Sequence, residues 1–140
     1  MTRRPPLPVL LAVVALGGAL GASARWLLTD RLPVEPAVFP WTTFAINVSG
    51  SLLLALLPVA AVVRRHPLLP PLLGSGVLGG FTTLSAYSEE ARVLLADGHR
   101  ALAATYVLGT LLACLVAVAL ADRLSTRDAR AEIEDEEGDL

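Results

Sequence analysis

The chain alternates between long uncharged stretches and short polar connections. Each of four stretches without Asp, Glu, Lys or Arg is at least 20 residues long, and they cover residues 5–24, 36–63, 67–88 and 101–121. A helix needs about 20 apolar residues to cross the hydrocarbon core of a bilayer. The pattern therefore predicts an all-α membrane protein, a single domain over 1–124 with transmembrane helices at about 8–29, 41–63, 68–96 and 101–122.

The composition supports a membrane protein and excludes several other classes. Hydrophobic residues make up 54% of the chain and charged residues 17%, whereas soluble domains carry about 25% charged residues. This composition excludes a soluble enzyme and a nucleic-acid-binding protein. A disulfide-stabilised secreted domain is excluded as well, because Cys114 is the single cysteine. Acidic residues concentrate at the C-terminus, and the like charges predict a disordered tail over 125–140.

The first apolar stretch has two interpretations. Two arginines, an apolar run and Ala22-Ser23-Ala24 fit a cleaved secretory signal. Packed membrane helices, however, place small residues along one surface, and this stretch has such a series at Gly17, Gly18 and Gly21. We retain the segment as the first membrane helix.

Arginine distribution predicts the orientation in the membrane. One side of the predicted topology carries Arg3, Arg4, Arg64, Arg65, Arg123, Arg127 and Arg130, and the other carries Arg25, Arg31, Arg92 and Arg100. Because basic residues favour the cytoplasmic side, we expect both termini in the cytoplasm. The bias is modest, and such a chain can also insert in both orientations.

The third predicted helix contains a break near the middle of the membrane. Four glycines, the last of them Gly79 and Gly80, precede Phe81-Thr82-Thr83-Leu84-Ser85. Interrupted membrane helices can form ion sites from freed carbonyls and half-helix ends. The alternative is close helix packing through small residues, with Ser and Thr bonded to the preceding turn.

Two stripes of polar side chains lie on the second and fourth predicted helices. Their one-turn spacing puts each set on one face: the first holds Thr43, Asn47 and Ser51, and the second holds Tyr106, Thr110 and Cys114. These groups could join helices by hydrogen bonds, or they could donate to a passing anion. The uncharged stretches hold no His either, which argues against a proton antiporter, a metalloenzyme or a hydrolase. Neutral donors and carbonyls suit a small permeating ion.

Three motifs in order carry a family resemblance. They are GGALGASARW at 17–26, TFAINVSGS at 43–51 and GGFTTLS at 79–85. With these motifs the chain resembles the CrcB/Fluc fluoride channels, small four-helix proteins that export fluoride passively as antiparallel dimers. The match extends from about Gly17 to Asp122.

The resemblance implies a set of site residues. A structural Na⁺ on the twofold axis would be held by the backbone carbonyls of Gly79 and Thr82 from each subunit. Fluoride would pass Thr43, Asn47, Leu84, Ser85, Tyr87, Tyr106, Thr110 and Cys114, and Arg25 belongs to the first motif. Two phenylalanines that line the family's pores are replaced by Leu84 and Tyr87, and the motif's final threonine is Ala86.

The resemblance further implies that the chain is a passive fluoride channel of the cell membrane and not an enzyme. Its expected partners are the lipid bilayer and a second subunit, and no nucleic acid is expected to bind. The second subunit is a copy of the chain or a paralogue, in antiparallel orientation. Leu84 has no ring edge to offer an anion, and this favours a paralogue that supplies one. The alternatives are a non-conducting structural subunit, and a small dual-topology drug exporter, which would carry a carboxylate in its first helix.

Overall fold

The computed structural model describes the backbone of residues 5–138 and, apart from residue 64 and residues 126–138, their side chains. Arg3 and Arg4, which support the orientation prediction, lie outside the described residues, as do residues 139–140 of the predicted tail. All regular secondary structure in the described range is helical. This confirms the predicted all-α class for that part of the chain.

Six α-helices follow one another within residues 5–138. They are α1 (Leu7–Arg31), α2 (Trp41–Leu56), α3 (Ala61–Arg65), α4 (Gly79–Phe81), α5 (Leu84–Ala96) and α6 (Arg100–Gly138). A 3₁₀ turn over Leu57–Val59 follows α2, and a π-helical segment over Pro71–Leu78 leads directly into α4.

Prolines explain why the second predicted helix is divided. The sequence predicts one helix over 41–63, but α2 ends at Leu56 and a 3₁₀ turn containing Pro58 follows. Proline has no backbone N–H, and its ring clashes with the preceding helical turn. His66 is extended, with φ −112° and ψ 115°, because the following Pro67 disfavours the α conformation. The short α3 lies between these two positions.

Three helical stretches in the described range are long and apolar enough to cross a membrane: Leu7–Arg31, Trp41–Val59 and Arg100–Ser125. Each agrees with one predicted span. The remaining predicted span, 68–96, is divided among the π-helical segment, α4 and α5. Large apolar side chains on the outside of the molecule, including Leu16, Leu112 and Leu115, form the surface that a multi-pass membrane protein presents to lipid.

The last helix differs from the sequence prediction. Residues 101–122 were expected to form the helix and 125–140 a disordered tail, yet α6 continues through Gly138. Between Arg100 and Glu137 this segment has no proline and one glycine, Gly109. Ala, Arg and Glu, which are frequent after Asp122, are good helix formers, so the local sequence permits the continuation despite the like charges.

Glycines allow α1 to lie against the π-helical segment and α4 with their backbones in contact. A Cβ added at Gly21 would meet the carbonyl oxygen of Val77 and would lie 2.9 Å from the amide nitrogen of Phe81. A Cβ at Gly18, by contrast, would have nothing within 4 Å. The series of small residues that favoured a packed membrane helix thus contains positions where only glycine fits.

The buried core lies where α2, α5 and α6 meet. Ala91, Leu94, Ala103 and Tyr106 form its centre, and Phe39 and Phe44 pack against it. The rings of Phe39 and Tyr106 are 5.4 Å apart between centroids at 87°, an edge-to-face arrangement favoured by aromatic quadrupoles. This cluster fixes α5 and α6 beside the start of α2.

Candidate functional site

A cavity of about 290 Å³ lies between α2, α6 and the junction of α4 with α5. It is called the polar cavity after the few polar side chains in its mostly apolar lining. Among its lining residues are five of the eight predicted pore positions: Asn47, Leu84, Tyr87, Thr110 and Cys114. Gly50, Ser51, Leu54, Thr82, Thr83 and Leu111 complete the lining. The fold therefore brings together residues from three distant stretches of the chain.

The side chain of Asn47 holds the junction of α4 and α5 through two hydrogen bonds. Its Nδ2 donates to the carbonyl oxygen of Thr83 at 3.1 Å, and its Oδ1 accepts from the amide nitrogen of Thr83 at 2.9 Å. The reciprocal pattern fixes which end of the amide is nitrogen. One N–H of Nδ2 is used in this way, and the other is the donor that Asn47 can offer within the cavity.

Thr82 and Thr83 interrupt the helical backbone at this junction. Thr82 has φ −72° and ψ 157°, and Thr83 has φ −148° and ψ 119°, both extended. The Thr83 hydroxyl then accepts a hydrogen bond from the amide nitrogen of Ala86 at 3.1 Å. Threonine is a favoured N-cap residue because its oxygen binds an amide that has no helical partner. Thr83 thus ends the break and starts α5.

The break frees backbone carbonyls that a continuous helix would pair. Arg25 Nε donates to the carbonyl oxygen of Gly80 at 3.2 Å, and Asn47 binds that of Thr83. The hydrogen bonds of residues 5–138 leave three carbonyls in this stretch without a donor, those of Gly79, Phe81 and Thr82. Gly79 is exposed, and Phe81 and Thr82 are half-buried, so these oxygens are accessible and can accept a hydrogen bond or bind a cation.

The polar stripe of α6 contributes differently at each of its three positions. Thr110 is 3% exposed, and its hydroxyl oxygen is buried without a hydrogen-bond partner. Cys114, a free thiol, lines the same cavity one turn further on. Tyr106 is fully buried and lies outside the cavity lining. Thr110 is therefore the donor of this stripe that remains available to a ligand.

The remaining predicted positions are partly engaged elsewhere. Tyr87 lines the cavity, but its hydroxyl donates to the carbonyl oxygen of Val107 at 2.7 Å. Leu84 lines the cavity and is 76% exposed, so the cavity is open beside it. Ser85 is exposed and outside the lining; its hydroxyl lies 3.2 Å from that of Thr83.

Glu90, which is absent from the residues predicted from the sequence, binds two of the predicted pore residues. Thr43 Oγ1 donates to its Oε1 at 2.7 Å, and the Tyr106 hydroxyl donates to its Oε2 at 2.6 Å. Glu90 lies two residues beyond the third uncharged stretch, which ends at residue 88. Glu90 follows Tyr87 by three residues, and residues three apart share a helical face. The spacing therefore places Glu90 beside a predicted pore residue.

These features define a multi-pass helical membrane protein with a polar cavity between apolar helices. The sequence profile of the family described as "CrcB-like protein, Camphor Resistance (CrcB)" matches residues 12–121. The chain therefore belongs to the CrcB family, as the motifs predicted.

Curated relatives of the chain are named as ion channels. It is 43% identical over 134 residues to fluoride-specific ion channel FluC 2 of Nocardia farcinica, covering 91% of this chain and 96% of that protein. It is 44% identical over 120 residues to fluoride-specific ion channel FluC 1 of Streptomyces coelicolor, covering 84% of this chain and 77% of that one. These names describe a non-enzymatic activity, in agreement with the sequence-based expectation.

We predict that Asn47→Ala destabilises the fold, because it leaves the N–H and C=O of the buried Thr83 without their partner. The expected loss is about 1–3 kcal/mol in the free energy of unfolding, measured by denaturant titration in detergent. Ser51→Ala is the matched control, since Ser51 lines the same cavity from the same helix. Equal stability of the two variants would contradict the role of Asn47 in holding the break.

Proposed function

We propose that the chain is a subunit of a passive, fluoride-selective channel that exports fluoride from the cytoplasm. The observation that carries this proposal is the cavity, whose Thr110 hydroxyl is buried without a partner. The names of the curated relatives give the ion. Fluoride holds its water tightly, so a path for it must replace that water with directed donors.

The donors around the cavity suit an anion that binds and leaves. The Thr110 hydroxyl and the second N–H of Asn47 carry no full charge. A lysine or arginine at the same place would hold an anion more strongly, whereas conduction needs binding weak enough for release. The lining is mostly apolar, with Leu54 and Leu111 beside these few donors, and an apolar lining strengthens each hydrogen bond to the ion.

The segment 68–96 forms the remaining span in this proposal. The π-helical segment, α4 and α5 together have the length of a membrane helix, and the break at Thr82 and Thr83 falls inside it. Irregular backbone is tolerated at membrane depth where protein groups or a cavity satisfy it. Arg25 and Asn47 supply such groups, which supports a broken helix that spans the bilayer.

A structural Na⁺ fits the oxygens that the break leaves available. The carbonyls of Gly79 and Thr82 accept no hydrogen bond within the described range, and both residues line a second cavity of about 330 Å³. Neutral carbonyl oxygens are hard ligands and suit a hard cation. One subunit supplies two of the proposed ligands, so two copies around a twofold axis would supply four. The ion would add positive charge beside the anion path and join the subunits.

Sodium removal tests this part of the proposal. We expect the fraction of paired subunits to fall at least tenfold when N-methylglucamine replaces sodium, measured by native mass spectrometry in detergent. Thr82→Ser is the control variant, because it keeps both the backbone carbonyl and the hydroxyl that donates to Leu78. It should pair in sodium as the unmodified chain does. Pairing that does not depend on sodium would contradict the ion site.

The second subunit lies antiparallel to the first in the working channel, and the chain's own termini face the cytoplasm. The exposed Leu84 at the open side of the cavity gives the partner a place to complete the lining. A paralogue with an aromatic residue there would add the ring edge that Leu84 lacks. This favours a heterodimer, and a homodimer is the alternative.

Fluoride efflux from proteoliposomes tests the function directly. The chain is reconstituted alone and together with a family member from the same cell, and efflux is followed with a fluoride electrode. We expect fluoride efflux at least tenfold above that of protein-free liposomes when both subunits are present, with chloride efflux at background. Absence of fluoride efflux from both preparations would overturn the proposed function.

The two preparations also distinguish the subunit arrangements. Efflux from the chain alone would show that a homodimer conducts and would eliminate a purely structural subunit. Efflux only with the partner would support the heterodimer. In that case, a fall in fluoride efflux on substitution of this chain's own cavity residues would indicate a conducting role, and unchanged efflux would indicate a supporting role. A drug exporter would instead accumulate an organic cation in exchange for protons moving down an imposed proton gradient.

A further inference from the structure

Glu90 binds two buried hydroxyl groups at once. Its two carboxylate oxygens accept from Thr43 at 2.7 Å and from Tyr106 at 2.6 Å. Both donor residues are 0% exposed. Hydrogen bonds from a neutral hydroxyl to a carboxylate are short and roughly twice as strong as bonds between neutral groups. The three side chains therefore form a tight node, the Glu90 node, between α2, α5 and α6.

The Glu90 node lies between two cavities. Its two donors each come one helical turn before a residue that lines the polar cavity, Thr43 before Asn47 and Tyr106 before Thr110. Glu90 itself lines another cavity of about 330 Å³, formed with the loop between α1 and α2 and with the end of α5. An ion moving from one cavity to the other between these helices would meet the node.

Hydrogen-bond chemistry makes the node a barrier to anions. A hydroxyl has one hydrogen to donate, so Thr43 and Tyr106 cannot donate to an anion while both donate to Glu90. The carboxylate also repels an approaching anion. Passage thus requires an anion that can take at least one of these donors from Glu90. Fluoride is a small and strong hydrogen-bond acceptor, comparable with a carboxylate, whereas chloride is larger and much weaker.

We propose that Glu90 is a specificity-determining residue, which acts as a built-in competitor for the donors on the anion path. An anion enters the node only if it binds hydroxyl groups strongly enough to displace the carboxylate. Fluoride meets this condition and chloride does not. This inference rests on the proposed function, since it concerns discrimination along the same path.

The neighbouring glutamate provides a matched control. Glu89 is exposed, and its carboxylate is bound by Arg92 through Nε at 2.8 Å and Nη2 at 2.7 Å. Neither interaction involves the Glu90 node. Glu89→Gln therefore removes the same charge from the same helix and leaves the two hydroxyl donors on Glu90.

The test compares fluoride and chloride efflux from proteoliposomes containing Glu90→Gln, Glu89→Gln or the unmodified chain, in whichever subunit assembly conducts. Glutamine is close in shape, but its neutral oxygen holds a hydroxyl more weakly. We expect Glu90→Gln to keep fluoride efflux within about threefold of the unmodified chain and to raise chloride efflux at least tenfold. Glu89 lines the same cavity beside the loop between α1 and α2 as Glu90, so Glu89→Gln controls for the loss of charge there and should leave the ratio of chloride to fluoride efflux unchanged.

The outcomes separate the inference from the proposed function. An unchanged ratio of chloride to fluoride efflux in Glu90→Gln, or loss of fluoride efflux with chloride at background, would overturn the role of Glu90 alone. No fluoride efflux from the unmodified assembly would overturn the proposed function. If Glu90→Gln does not fold, Glu90→Asp decides the question. Its shorter carboxylate cannot reach both hydroxyls, so the same ratio should rise at least threefold, and an unchanged ratio would overturn the inference.

Discussion

The pair of hydrogen bonds between the Asn47 side chain and the backbone of Thr83 is the interaction on which the site depends. Without it, Thr83 would bury an N–H and a C=O that no neighbouring helix turn satisfies. With it, the backbone can leave the helix at Thr82 and resume it at Leu84. The polar cavity and the carbonyls available to a cation both lie beside this interruption, so a single amide links the two proposed ion sites.

Satisfying backbone groups without water limits how such a site can be built. Arg25 from α1 and Asn47 from α2 each bind one freed carbonyl, and glycines let α1 approach closely enough for this. The carbonyls of Gly79 and Thr82 are the ligands of the proposed cation, and the unpaired hydroxyl of Thr110 is the donor to the proposed anion. The site thus consists of the few polar groups that the protein does not pair internally.

Much of the architecture could be predicted because the bilayer imposes simple rules on sequence. Uncharged stretches of sufficient length located α1, α2 and the first part of α6. The backbone leaves the helical conformation at Thr82 and Thr83, shortly after the glycine-rich stretch. The apolar pattern does not predict the 3₁₀ turn at Pro58, because hydrophobicity continues across a proline that the helix cannot accommodate. The continuation of α6 to Gly138 was missed because like charge was taken to outweigh helix propensity.

The site was harder to predict than the fold. Asn47 and Thr110, both named from the motifs, line one cavity, but only tertiary contacts show that Asn47 binds the backbone of Thr83. Glu90 lies just beyond the uncharged stretch. It contacts Thr43 and Tyr106, two predicted pore residues on other helices, and spacing along one helix does not predict such a contact. The contact joins residues of α2, α5 and α6, so it depends on how the three helices pack together.

The central claim, that the cavity beside the break carries fluoride, is tested most directly by fluoride flux through Thr110→Val. The substitution keeps the side-chain shape and removes a buried hydroxyl that makes no hydrogen bond within the described part of the chain. We expect a fall in efflux of at least tenfold without a loss of thermal stability. Ser88→Ala, which removes an exposed hydroxyl bonded to its own helix, should leave efflux unchanged. Normal efflux through a folded Thr110→Val channel would show that fluoride does not depend on this hydroxyl.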